Sequence, residues 1–437
     1  MRAIILSISL LTATLALAES PQYVAHEWGT FTSVQGANGV QIEWNPLTIV
    51  DLPVFVHNQT GIPGLSLLAK TAFICRQRME TPVIYFYADQ PLDVDVAIDF
   101  PGGHISEWYP EKTSQARLAE VQTASETKSA HQPSLLWEKV HVLPKDTVPA
   151  GSDLAIDQSN SHYYAARETD SNLVQTTSKK GAPEFEKFLF YRGTGDFQAP
   201  VTVKLEGTDH QTIRIENRTT EELLDLYLFQ NNGAHRGWLK IPRLSPNETR
   251  SVSLSELTTV ESQSDLTKIL SGEFREALIR HELYPREAAA MVKTWEQSWF
   301  AEPGLRVLYP IARHSTDSYL PIHFTPAPKE LVRVMVGRAE IITPEVEKKM
   351  EDAVNRYVAV KDDKAARALI ADEVHRYGYG RFDEAIVRLL VGDSTRSKDF
   401  VSLSWELISE ATALDRAAVQ SAAAAAVTNP VPAPTKG

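Results

Sequence analysis

The chain has 437 residues, 43% hydrophobic and 23% charged, which supports a real core and exceeds one small domain. Its formal net charge of −12, with no long Lys/Arg run, lacks the basic stripe of a nucleic-acid binder and disfavours anionic membranes. The single cysteine, Cys75, excludes an internal disulfide, and its setting in Ala72-Phe73-Ile74-Cys75 reads as a small buried hydrophobe.

Taken in order, the chain opens on an export signal. Met1-Arg2 is positive, Ile4 to Leu17 is almost wholly apolar, and Ala16-Leu17-Ala18 fits a small-x-small cleavage site. The expectation is a signal peptide over 1–18 and a mature protein in the periplasm or outside the cell. No later segment approaches the ~20 apolar residues of a span, so none is expected after cleavage. Residues 19–262 read as a β-rich, sandwich-like region of short strands with turn clusters between them. Tyr23 to Val34 is the first strand, with Val40 to Trp44 returning as a hairpin after Gly36-Ala37-Asn38-Gly39. Pro82 to Ala88 is a buried strand, Val94, Val96 and Ile98 alternate with aspartates, and residues 111–133 form a polar insertion.

The character changes after that. Residues 263–343 read as a helix–strand module packing on the β-rich region. In it, Ala288, Met291, Val292, Trp295 and Trp299 make one apolar helical stripe, Pro285 suits the first turn, and Glu287 suits the helix N-terminus. Leu305 to Phe324 is strand-rich, and Leu331 to Ile342 reads as a strand pair or one long strand. Residues 344–426 are helical, with Thr343 as cap and Pro344 in the first turn, and 427–437 form a Pro-rich disordered tail. The fold class is α+β: predominantly antiparallel, sandwich-like β units, a helix–strand module and a C-terminal helical region.

Candidate chemistry is scattered. In a strand, His26 and Trp28 face one way and Glu27 the other, so His26 and Glu27 cannot grip one ion. Arg78 and Glu80 share a side ahead of the buried run and suit an ion-pair ladder or an anion. Tyr85 and Tyr87 have the opposite parity, and with Trp108 they suggest an aromatic platform for a sugar or peptide. His281, Glu282 and Glu287 are the best metal-like cluster, since catalytic zinc takes three protein ligands and leaves a position for water. Arg306 lies on the next strand and could complete a site. Gly-x-Ser-x-Gly and phosphate-cradling Gly-rich loops are absent, and the residues leave any cofactor unknown.

His26 to Thr32 (HEWGTFT), Arg78 to Tyr87 (RMETPVIYFY) and Phe100 to Pro110 (FPGGHISEWYP) resemble a group of uncharacterised exported bacterial proteins. So do Phe188 to Gly195, Glu287 to Phe300 and Val332 to Glu345. The resemblance spans residues 26 to 345 and implies export and a shared fold, with no activity to carry over. The expected function is an envelope or extracellular binding or scaffold protein for a glycan, peptide or protein partner. The alternative is a secreted, possibly metal-assisted hydrolase.

Overall fold

The computed structural model describes residues 22–46, 52–53, 55–59, 74–113, 134–147, 149, 154, 161–233 and 235–428. The signal at 1–18, most of the polar insertion and the tail from 429 lie outside the described residues. The fold is α+β, as expected.

The strands run β1 (Tyr23–Gly36), β2 (His57–Asn58), β3 (Gln77–Ala88), β4 (Leu92–Ile98), β5 (Gly103–Tyr109) and β6 (Leu135–Val142). Then come β7 (Val174–Thr177), β8 (Pro183–Glu186), β9 (Leu189–Gly195), β10 (Val201–Glu206), β11 (Thr212–Asn217) and β12 (Leu223–Asn231). The last are β13 (Arg236–Leu244), β14 (Thr249–Ser253), β15 (Thr258–Thr259), β16 (Gly304–Ile311), β17 (Ile322–Thr325) and β18 (Glu330–Ile342). The helices are α1 (Gln263–Arg280), α2 (Pro285–Glu296), α3 (Arg313–Tyr319), α4 (Pro344–Ala359), α5 (Lys364–His375), α6 (Asp383–Val391) and α7 (Lys398–Thr428).

Ten strands form one sheet in the order β15-β13-β12-β16-β18-β1-β3-β9-β5-β2. Its centre is the parallel pair β1–β18, in register from Val24 opposite Glu330 to Gly36 opposite Ile342; its other pairings are antiparallel. The sequence had set residues 263–343 apart as a module packed on the β-rich region. Instead β16 and β18 are woven into the middle of the sheet, because both are apolar enough for burial on two faces. The strand-rich stretch expected from Leu305 to Phe324 holds β16 and β17, with the short α3 between them. The hairpin expected at Val40 to Trp44 is reduced to single bridges, Gln35 to Gln41 and Trp44 to Cys75.

Side-chain alternation divides the central strands between two cores. Tyr23, Ala25, Phe31, Met79, Ile84, Phe86, Val307 and Met335 join a core shared with the five-stranded sheet β17-β4-β6-β7-β8 and the three-stranded sheet β10-β11-β14. Trp28, Val83, Tyr85, Leu308, Val334 and Val336 face the other way, onto α1, α2 and a single 3-10 turn, His162–Arg167. The stripe of α2 is buried as the spacing predicts, and Trp299 continues it through a π-helical turn, Gln297–Ala301. A third core, with Val34, Trp44 and Ile342 at its base, joins α4 to α7 to the end of β1 and β18. Thr343 caps α4 through the Val346 N–H, as read from the sequence.

Candidate functional site

The helix-facing side of β18, β1 and β3 gathers most of the sequence's candidate residues along one stripe. A bulge makes this possible. Between β1 and β3 the pairing passes from Trp28–Val83 to Thr30–Glu80, so β3 carries one extra residue at Thr81-Pro82. The sequence parity put Glu80 and the tyrosines on opposite faces; the bulge puts Glu80, Tyr85 and Tyr87 on the same one. Gly29 lies against it. A Cβ on Gly29 would stand 2.8 Å from Pro82 Cα and 3.0 Å from Met335 Sδ, so only glycine lets the chains close.

At one end of the stripe, His26 and Glu287 meet, although the sequence had placed them in separate sites. His26 Nδ1 lies 2.7 Å from Glu287 Oε2, and both side chains are fully buried. The Tyr87 hydroxyl donates to Glu287 Oε1 at 2.6 Å, and the Tyr284 backbone N–H donates to Oε2 at 2.9 Å. Burial and the Glu287 charge push the Tyr87 hydroxyl far above the ordinary phenol range, so it remains a donor. With an acceptor carboxylate on Nδ1, the hydrogen-bond network assigns the proton to that nitrogen. His26 Nε2 is buried without a hydrogen-bond partner. The exposed ring of Tyr284 covers the imidazole at a centroid distance of 4.3 Å.

Trp28 and Tyr85 fill the middle of the stripe as core residues, with the Tyr85 hydroxyl donating to the Ala166 carbonyl at 2.7 Å. At the other end, seven charged side chains interlock. Glu80 accepts from Thr32 at 2.9 Å and Arg381 at 2.7 Å and pairs with Arg78 at 2.9 Å. Glu340 pairs with Arg338 at 2.7 Å and Arg306 at 2.9 Å, and Arg338 reaches Glu302 at 2.8 Å.

This cluster has four guanidiniums and three carboxylates. The remaining positive charge faces the end of the π-helical turn. Arg306 donates to the carbonyls of Trp299 at 2.8 Å, Glu302 at 3.0 Å and Pro303 at 2.7 Å, and Arg338 donates to Ser298 O at 2.7 Å. Those carbonyls carry the negative end of the helix dipole, so the set is a capped helix terminus rather than an anion receptor. Burial pulls Arg306 down to about 10 despite Glu340, which leaves it charged near neutrality. For Glu80, burial alone pushes upward, but Arg381, Arg78 and Arg338 together bring it down to about 2.

The metal trio does not converge. His281 ends α1 and its Nε2 faces Asp225 at 3.5 Å; burial, opposed by Asp225, holds its imidazole below the ordinary range. Glu282 is exposed in the turn at φ +74°, and Glu287 belongs to His26. The break at Pro285 turns the helices apart, so nearness in sequence is not nearness of side chains. Among the described residues, no group of three or more His, Cys, Asp or Glu side chains is arranged to hold a metal. The aromatic platform also fails. Trp108 is buried on the opposite face of the sheet, its indole N–H donating to Glu111 at 3.0 Å. Tyr85 is fully buried, and Tyr87 is half-buried against Glu287.

A surface feature that the sequence reading missed is a recess of about 740 Å³ between α1 and the end of α2. Thr267, Ser271, Arg275, Val292, Lys293 and Ala301 are among its lining. Gly272 lies in the wall, where a Cβ would meet nothing within 4 Å. The glycine inside the α1 pattern was the available signal, since glycine weakens a helix interior unless space or contact calls for it.

No family model matches the chain, and no curated protein does. Among solved structures, the yeast delta-COP-I mu-homology domain is similar with a TM-score of 0.27 and 8% identity, over 74% of this chain and 96% of that one. The same domain complexed with the Dsl1 WxWxV peptide gives 0.28 at 8% identity and the same coverage. The Danio rerio Fcho1 Mu homology domain with bound Eps15 peptide gives 0.29 at 7% identity, over 74% of this chain and 98% of that one. Scores this low establish neither a common fold nor a common ligand.

Proposed function

We propose that this protein is an exported binding or scaffold protein that takes a peptide or protein segment in the recess between α1 and α2. The recess itself carries the reading. It is open to solvent, and its lining sets aliphatic Ala289, Val292 and Ala301 beside charged Lys268, Arg275, Lys293 and Glu296. A lining that mixes aliphatic, charged and hydrogen-bonding side chains suits the alternating side chains and backbone amides of a peptide. It offers no aromatic ring for a sugar face, which favours peptide or protein over glycan. Export is supported by the sequence of residues 1–18.

Gly272→Trp tests this, because Gly272 lines the recess and a Cβ there meets nothing within 4 Å. Peptides selected from a displayed library on the mature chain are expected to lose about tenfold or more in affinity in the variant, or about 1.4 kcal/mol. Equal affinity for both chains would overturn the recess as the site.

The hydrolase reading keeps one observation of its own. An imidazole tied at Nδ1 to a carboxylate, with Nε2 buried and without a partner, has the pairing of a general base and would need Tyr284 to move before a substrate could reach it. It favours proton transfer at His26 over metal-assisted chemistry. Ester hydrolysis by the mature chain that disappears in His26→Gln would support it; an unchanged rate would remove it.

A further inference from the structure

We propose that the recess between α1 and α2 selects acidic peptide segments, with Lys268 and Arg275 of α1 taking two of the segment's carboxylates. This rests on the recess being the peptide site, and it adds which class of peptide enters. The chain as a whole carries 56 acidic against 44 basic side chains. The lining of the recess reverses that balance, setting Lys268, Arg275 and Lys293 against the single carboxylate of Glu296. A local excess of positive charge on a chain of net charge −12 attracts an anionic segment and repels a basic one.

The excess follows from helical spacing. Ser264, Thr267, Lys268, Ser271 and Arg275 recur at intervals of three and four residues, so they share one face of α1. Lys268 and Arg275 are both exposed, and two turns of helix separate them, about 10.5 Å along the axis.

Both cations are open to a ligand. Lys268 has no ion-pair partner among the described residues. Arg275 meets Glu276 at 3.2 Å, but the two are adjacent in sequence and about half of each side chain is exposed. Adjacent residues on a helix point in different directions, and exposed pairs of this kind contribute little, so a ligand carboxylate replaces Glu276 with little loss. Lys293 is held by Glu168 at 2.5 Å and is not needed. Glu296 belongs to α2, with Ala289 and Val292, and disfavours a second acidic edge there. The segment therefore turns its carboxylates to α1 and an uncharged side to α2.

The spacing of the cations sets that of the carboxylates. In a polyproline II segment three residues complete a turn and rise about 9 Å, which aligns side chains n and n+3 at nearly that separation. The expected ligand is an acid-x-x-acid segment with uncharged residues between.

The experiment is selection of displayed peptides on the mature chain, followed by affinity measurements on Lys268→Gln combined with Arg275→Gln. Glutamine retains helix propensity at both exposed positions, so α1 is expected to persist, which circular dichroism checks. The wild type should enrich acidic pairs three residues apart. The double variant should bind those peptides about tenfold more weakly at about 0.1 M salt, narrowing to about twofold at about 1 M as screening removes the charge term. Neutral or basic peptides that still lose affinity in Gly272→Trp would keep the recess as a peptide site and overturn its acidic preference. Acidic peptides that bind the wild type and the double variant equally would also overturn it. Peptides indifferent to Gly272→Trp, or no peptide selected at all, would remove the recess reading and this inference with it. Self-association of the chain that Gly272→Trp abolishes would give the recess to a second copy and overturn the acidic peptide.

Discussion

Gly29 shows how much a single position controls. It sits inside His26-Glu27-Trp28-Gly29, a run that invites a catalytic or metal reading, yet its task is to let β1 close on the bulge at Pro82. Gly29→Ala would press a methyl group against backbone rather than against the end of a flexible side chain. A loss of about 1–3 kcal/mol is expected in urea unfolding, in the range of other overpacked cores. An unchanged midpoint would mean that the bulge yields freely. His26 and Glu287 teach the complementary lesson. Glu287 satisfies the ordinary preference for an acid near a helix N-terminus, and the sequence offers no reason to bury it. Only the packing of α2 across β1 brings it within 2.7 Å of an imidazole 261 residues away.

At the scale of elements, the charged cluster binds strand, helix end and C-terminal unit together. Glu80 stands on β3, Arg306 on β16, Arg338 and Glu340 on β18, and Arg381 in the turn before α6. Because Glu80 is held down at about 2, its contribution is present above the ordinary glutamate value and is lost as pH falls toward 2. Acid unfolding from pH 7 to 2.5 should therefore be shallower in Glu80→Gln than in the wild type. The difference is expected to be on the order of 3 kcal/mol across that window. Parallel acid limbs in the two proteins would show that the cluster repacks around a neutral residue. Removing one partner from a buried ion pair is more damaging than replacing the whole set, so Arg381→Ala alone should be worse than Arg381→Ala combined with Glu80→Gln.

For the whole molecule, three cores share one sheet. The ten-stranded sheet buries one face against smaller sheets and the other against helices, and its end against α4 to α7. Trp44 is the joint between sheet end and helical unit, fully buried and 5.5 Å from the Phe382 ring. Trp44→Ala should cost about 3–5 kcal/mol and make residues 344–428 the first region to open. Limited proteolysis would show this as early cleavage within that region, and cleavage scattered over the chain would contradict it.

The sequence determined what depends on neighbours along the chain. Helical spacing fixed the stripe of α2, Pro285 and Thr343 marked helix starts, and strand parity separated His26 and Trp28 from Glu27. The isolation of Cys75 implied burial, which the structure shows, with its thiol pushed up to about 12. Tertiary structure decided the rest, because it depends on which distant segments meet. A one-residue bulge turned Glu80 to the face of Tyr85 and Tyr87, and a parallel pairing across about three hundred residues put β18 beside β1. Helix packing then dispersed the supposed metal trio, united His26 with Glu287, and opened the recess between α1 and α2. Periodicity reports which face of an element is buried; it carries no information about what buries it.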